Sequence, residues 1–227
     1  MLKLMARVLL PLTMLLSCGQ VIAASAVNTQ DPYQMIEQAA KKTFARFDAD
    51  QSKIKADPNH LKIIIEQELL PYIDYKYAAY KVLGKYLNKT TKAQRAAFAQ
   101  AFRGYLVSTY ASAFTAYTHQ KVSFAPAKKF DDEKFVNVAV QVIEAGRPPI
   151  KLSFKVRRLM TGKRKDKKPR VGDQWKAIDL VAEGISLLQS KQSEIGGLVQ
   201  KEGIESVINM LNERAKASVE AQKASSK

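Results

Sequence analysis

Two carboxylates are the first candidates for acid–base chemistry. Asp74 stands in Tyr72-Ile73-Asp74-Tyr75 and Asp179 in Ala177-Ile178-Asp179-Leu180, each among apolar neighbours. A pair of partly buried carboxylates could serve as general acid and base. The same setting suits carboxylates that cap helix ends or pair with Lys or Arg, because buried charges need partners. That is the simpler assignment. The only histidines are His60 and His119. They read as solvated residues near helix termini, and neither has Cys or carboxylate neighbours at metal-ligand spacing. Gly184-Ile185-Ser186 lacks the second glycine of a nucleophile elbow. Gly196-Gly197 stands alone, so no glycine-rich phosphate loop is present. We assign no catalytic residue, no metal and no cofactor. An enzyme acting on a small apolar molecule through Asp74 or Asp179 stays open as an alternative.

The strongest polar signal is basic. Residues 161–172 hold Lys163, Arg164, Lys165, Lys167, Lys168 and Arg170 against one acid. The segment lies between two predicted strands and reads as a long hairpin loop. It is either simply solvated or a docking patch for anionic headgroups or an acidic protein face.

These residues need elements to position them. Asp31-Pro32 predicts a helix start, with Asp31 as cap and Pro32 at the first helical position. Ile36, Ala39, Ala40, Thr43, Phe44 and Phe47 then follow helical spacing. A second helix is predicted from His60 to Leu70, where Pro71 breaks it, and a third from Tyr72 to Leu87. Thr91 and Gln94 form a capping-box pattern before a long helix reaching about Tyr117. The period then changes from 3.6 to 2. Strands are predicted at Lys121 to Ala125, Phe135 to Glu144, Ile150 to Arg158 and Gln174 to Ala182. In the third of these, Ile150, Leu152, Phe154 and Val156 alternate with Lys151, Ser153, Lys155 and Arg157, which gives one buried and one wet face. Helical pattern returns from about Gly184 to Gln200 and from Ile204 to about Ala217.

The predicted fold is α+β: amphipathic helices packed on one face of a small, twisted, mainly antiparallel four-stranded sheet. An apolar sheet face opposed by such helices is a natural place for an enclosed greasy cavity. Tyrosine and phenylalanine supply nine residues each; Tyr72, Tyr75, Tyr77, Tyr80 and Tyr86 crowd the third helix and Tyr105, Tyr110 and Tyr117 the fourth, a density that serves either core or ligand wall.

The ends speak to compartment. Lys3 and Arg7, the apolar run Val8 to Leu16, and Ala24-Ser25-Ala26 have the form of a cleaved secretory signal over residues 1–26. The run is shorter than the roughly 20 residues a bilayer span requires. Leu15-Leu16-Ser17-Cys18 also resembles a lipoprotein-type site, and that alternative stays open. Cys18 is the only cysteine, so cleavage after Ala26 leaves no thiol and no disulfide. A single domain is expected over 27–216 and a flexible polar tail over 217–227. The full chain carries a net charge of +16, and loss of Lys3 and Arg7 lowers it by two. Export argues against nucleic acid as the partner for that charge and points to anionic lipid surfaces or acidic protein faces.

Several runs together resemble a known family. They are Leu69-Leu70-Pro71-Tyr72-Ile73-Asp74-Tyr75, Val82-Leu83-Gly84-Lys85-Tyr86, Gln94-Arg95 with Phe98, and Gly146-Arg147-Pro148-Pro149. Trp175-Lys176-Ala177-Ile178-Asp179, Glu183-Gly184-Ile185-Ser186 and Lys201-Glu202-Gly203-Ile204 continue the series. In order and spacing they resemble the MlaC, or toluene-tolerance, family of periplasmic phospholipid-binding proteins, from about Asp31 to Leu211. The resemblance implies a monomeric periplasmic carrier that holds a phospholipid in a deep apolar pocket, tails inside and headgroup toward solvent. It implies exchange of lipid between an outer-membrane MlaA–porin complex and an inner-membrane MlaFEDB transporter, with transient membrane-surface contact. The 161–172 loop is longer and more charged than the family pattern leads one to expect. On this basis the pocket wall is expected to comprise Val138, Val140, Val142, Leu152, Phe154 and Val156 from the sheet. From the helices it takes Tyr72, Val82, Phe102, Leu106 and Tyr110. A ligand-free adaptor that binds envelope proteins through its basic face is the remaining alternative.

Overall fold

The computed structural model describes residues 26–162, 170 and 172–221. The expected leader apart from Ala26, the basic residues Lys163, Arg164, Lys165, Lys167 and Lys168, and the tail beyond 221 lie outside the described residues.

Asp31 opens the fold. Its carboxylate accepts from the Tyr33 N–H at 2.8 Å and the Gln34 N–H at 3.0 Å, and Pro32 follows at the first helical position. Helix α1 spans Pro32–Ala49 and a short α2 spans Gln51–Ala56. The second predicted helix is not uniform. Helix α3 covers only His60–Ile64, then widens into a π turn at Ile65–Leu69 and tightens into a 3₁₀ turn at Leu70–Tyr72. Pro71 lacks an N–H, so a regular α ladder cannot pass through it.

The third predicted helix is shorter than the sequence suggests. Ile73 is extended and bridges Ala177 of the sheet, and Asp74 then caps α4, Tyr75–Leu83. At Gly84 the backbone takes φ 49° and ψ −119°, which side-chain-bearing residues rarely adopt, and a 3₁₀ segment follows to Lys89. Helix α5, Lys92–Phe114, begins with the predicted capping box. The Gln94 N–H donates to Thr91 Oγ1 at 3.2 Å, and the Thr91 N–H donates to Gln94 Oε1 at 2.9 Å.

The sheet has five antiparallel strands, not four, in the order β1-β2-β3-β4-β5. They are β1 Lys121–Phe124, β2 Phe135–Ile143, β3 Ile150–Leu159, β4 Gln174–Ala182 and β5 Ile185–Ser186. The fifth strand is two residues long, too short for a period-2 signal. It forms because Glu183 (φ 48°) and Gly184 (φ 83°) make a tight turn that folds Ile185 back onto Ala182. Helical structure therefore starts at Leu187 rather than Gly184. Beyond β5 the free edge of β4 is covered by other chain. The Trp175 N–H donates to Thr29 O at 2.7 Å and the Asp74 N–H to Ala177 O at 2.8 Å.

Helices α6, Leu187–Glu202, and α7, Ile204–Lys216, complete the fold. Gly104 lets α7 approach α5 closely, since a Cβ there would meet the Ala215 Cβ at 3.0 Å. Of the expected flexible polar tail, residues 217–221 are described. Val219 is fully buried beside Phe47, Leu61 and Val107, and its N–H donates to Asn59 Oδ1 at 3.2 Å. A valine can supply more burial than its polar neighbours suggest once a groove exists to receive it.

The interior comprises three packed clusters. One joins α4, α5, α6 and α7 around Phe98, Phe102, Ile195 and Leu211. A second joins the start of α1 to one end of the sheet around Met35, Val138, Val156 and Trp175. A third joins α1, α3 and the later part of α5 around Phe47, Ile64 and Ile65.

Charge ties the α1–α3 corner together. The Asp50 carboxylate is within 2.8 Å of His60 Nε2 and Lys53 Nζ and within 2.6 Å of Arg46 Nε. His60 is thus largely covered, its side chain 16% exposed, rather than solvated as its sequence position suggests. Hydrogen bonds from His60, Lys53 and Arg46 hold the Asp50 carboxyl well below its ordinary value of 3.8. A depressed folded-state value contributes stability above the unfolded value, and that contribution is lost as pH falls through the folded one. Denaturation followed between pH 6 and pH 2, about the range where carboxylates titrate, should show wild-type stability declining below about pH 4. Asp50→Asn should start less stable and show a shallower decline.

An apolar cavity where three clusters fail to meet

The three clusters border a partly open cavity of about 250 Å³. Its wall draws on every layer of the fold. Helix α1 contributes Ile36, Ala39, Ala40, Thr43 and Phe44. Helix α5 contributes Phe102, Tyr105, Leu106, Thr109, Tyr110 and Phe114, a run at i, i+3, i+4 and i+7 that presents one continuous face. The sheet contributes Val122 and Phe124 from β1, Val140 and Val142 from β2, and Leu152 and Phe154 from β3. The turn before α4 adds Leu69, Tyr72 and Ile73, and α4 itself adds Ala78. Leu187, Leu188 and Lys191 of α6 complete the wall.

Strand β4 meets the cavity in an unusual way. Its register against β3 shifts between Lys155↔Asp179 and Val156↔Ala177, which leaves Ile178 as an extra residue. Such a bulge breaks the in–out alternation, and four consecutive residues, Ala177 to Leu180, reach the wall.

Among the described residues only Asp179 and Lys191 on the wall carry formal charge. Asp179 is held in place: its Oδ2 accepts from the Ser186 hydroxyl at 2.7 Å and its Oδ1 from the Leu188 N–H at 2.9 Å. It therefore satisfies the first turn of α6, where a negative charge suits the helix dipole. Burial pushes the Tyr110 phenol up to about 12, with Asp179 and Tyr105 adding to the effect, so it stays neutral across the physiological range. Asp74 is not on the wall. Its Oδ1 accepts from the Tyr77 N–H at 3.1 Å, and its Oδ2 pairs with Arg157 Nη1 at 2.6 Å. The Arg157 guanidinium in turn lies over the Tyr77 ring, 4.3 Å from its centroid. The two candidate carboxylates are thus separate structural groups, each with its own partners. Among the described residues no group of three or more His, Cys, Asp or Glu could hold a metal ion.

The family model described as "MlaC protein" matches residues 37–213. The chain belongs to the MlaC family. The intermembrane phospholipid transport system binding protein MlaC of Haemophilus influenzae is 36% identical over 196 residues, which is 86% of this chain and 87% of that protein. The solved structure of a phospholipid-binding protein from Ralstonia solanacearum, in complex with a phospholipid, superposes with a TM-score of 0.67 at 21% identity. The match covers 86% of this chain and 99% of that one, and it shows the shared fold.

Within this MlaC-family fold, eight of the eleven residues expected on the wall line the cavity: Tyr72, Phe102, Leu106, Tyr110, Val140, Val142, Leu152 and Phe154. The other three do not. Val138 and Val156 share the correct sheet face but sit at its filled end, against Met35 and Trp175. Val82 faces the four-helix cluster on the other side of α4. Period-2 spacing identifies a face and says nothing about position along it. The α1 stripe was visible as helical periodicity, but nothing in that signal separates cavity wall from solid core. The contribution of Ile178 depends on a bulge that has no sequence mark. Of the basic loop, Arg170 is described: its N–H donates to Asp173 Oδ2 at 3.2 Å, and the Thr161 N–H donates to Asp173 Oδ1 at 2.9 Å, so Asp173 ties the base of the hairpin.

Proposed function

We propose that this chain is a phospholipid carrier that shields acyl tails in the cavity between α1, α5 and the sheet. The observation that carries the reading is the wall itself, which draws apolar side chains from helices and strands alike and has only two charged members. Each buried CH₂ gains roughly 0.8 kcal/mol. A lipid in a bilayer already has that gain, so a carrier needs to match it rather than exceed it, which permits both loading and release. The names of the relatives, a transport system's binding protein and a phospholipid-binding protein, support the same reading. Asp179, the one wall carboxylate, already holds the start of α6, which favours a carrier over an acid–base enzyme.

The finer parts of the proposal follow the family. The leader is cleaved after Ala26, the chain works in the periplasm as a monomer, and it exchanges lipid between an MlaA–porin complex and an MlaFEDB transporter. The basic residues from Lys163 to Arg170 dock it to an acidic partner face or an anionic membrane. Among the described residues no helix is long and apolar enough to cross a membrane.

Native mass spectrometry of protein purified without detergent tests the reading. The expected spectrum shows protein plus the mass of a diacyl phospholipid, confirmed by lipid extraction. A small polar molecule in its place, or no retained lipid, would overturn it.

A further inference from the structure

The carrier reading leaves the headgroup end of the cavity without an assigned partner. Among the wall residues Leu187 is the most open, 40% exposed, and so marks where the cavity meets solvent. Lys191 lies one turn further along the same face of α6. It is the only basic residue on the wall among the described residues, and its side chain is 32% exposed. Its Nζ sits 2.6 Å from Glu194 Oε2 and 5.4 Å from the centre of the Tyr105 ring. Burial pulls the lysine toward neutrality, but Glu194 and Tyr105 more than offset this and keep it charged. Glu194 has a second cation within reach, Arg214 Nη1 at 3.3 Å from Oε1.

We propose that Lys191 anchors the phosphodiester of a bound lipid: its ammonium exchanges Glu194 for the phosphate oxygens, while Arg214 keeps Glu194 partnered. The inference rests on the carrier reading. An exchange of this kind swaps one charge-assisted hydrogen bond for another and leaves no carboxylate stranded. The ammonium suits a headgroup that must later leave, because it acts as a point charge rather than a rigid two-pronged fork. Asp179 on the same wall is engaged by other donors, the Ser186 hydroxyl on one oxygen and the Leu188 N–H on the other.

The test uses full-length protein incubated with vesicles containing equal amounts of phosphatidylglycerol and diacylglycerol of matched chains. The ratio of the two lipids extracted from the protein is then measured. Wild type should favour phosphatidylglycerol. Lys191→Gln should lower that preference about tenfold, as expected for loss of one charge-assisted contact. Lys191→Arg should keep the preference and Glu194→Gln should raise it. An unchanged ratio in Lys191→Gln would overturn the assignment. So would loss of the wild-type preference in excess inorganic phosphate, which would mark a free-anion site instead of a headgroup site. Wild type that takes up neither lipid would refute the carrier reading itself, a result distinct from either of these.

Discussion

Val140→Glu is expected to abolish lipid co-purification while leaving the protein folded. Val140 is buried in β2, paired with Leu152 on one side and Phe124 on the other, and all three line the cavity. Val140 belongs to the same packed cluster as Val138 but also borders the cavity, so a glutamate there has free volume on one side. Its carboxylate either stays ionised and draws water into the cavity or takes up a proton at a raised pKa. Both outcomes spoil a site whose favourable term is hydrocarbon burial. The control is Val138→Glu, two residues away on the same face. Val138 is 1% exposed in a filled cluster and is not on the wall. A charge there has no room and no partner, so that variant should fail to fold or lose several kcal/mol. Native mass spectrometry and circular dichroism read the two effects separately. A folded Val140→Glu variant that still carries lipid would show that the tails lie elsewhere.

Trp175→Ala should be the most destabilising single truncation, by about 3–5 kcal/mol. Trp175 is 2% exposed at the filled end of the sheet. Its ring meets Phe130 edge-on at 5.9 Å and carries the Arg158 guanidinium 4.8 Å from its centre. Arg158 is itself buried, donating to Phe130 O at 2.7 Å and Asp131 O at 2.8 Å. Removing the indole leaves a cavity and uncovers a charged group that the ring now shields. Because Trp175 is the only tryptophan, its fluorescence is lost with it, and far-UV circular dichroism in a urea titration is the appropriate measurement. Trp175→Phe, which keeps a ring against Phe130 and Arg158, should cost distinctly less. Equal stability of Trp175→Ala and wild type would mean that this cluster does not anchor the sheet.

The two variants probe different ends of one sheet face, and that difference bears on what a sequence can reveal. Caps and periods were legible because they are local. Asp31 before Pro32 and Thr91 before Gln94 satisfy N–H groups within three residues of themselves, so the residue types alone suffice. The alternation along β3 identified its buried face for the same reason. The fifth strand was not legible, because two residues carry no period and its formation depends on a turn at Glu183 and Gly184. Val219 was not legible either, since its burial depends on a groove made by α1, α3 and α5.

By itself, then, the sequence determined the α+β order of elements, the apolar faces of α1, α5 and the sheet, the absence of any cysteine after Cys18, and the family resemblance. Only the tertiary structure decided which parts of those faces close on each other and which stay apart. Val136 to Val142 follow one unbroken alternation, yet Val140 borders the cavity and Val138 does not, because Met35 of α1 and Trp175 pack with Val138 at that end of the face. Apolar burial is non-directional and rewards either arrangement. The packing geometry of the surrounding helices, which no local pattern encodes, sets where the hollow lies and places Lys191 at its rim.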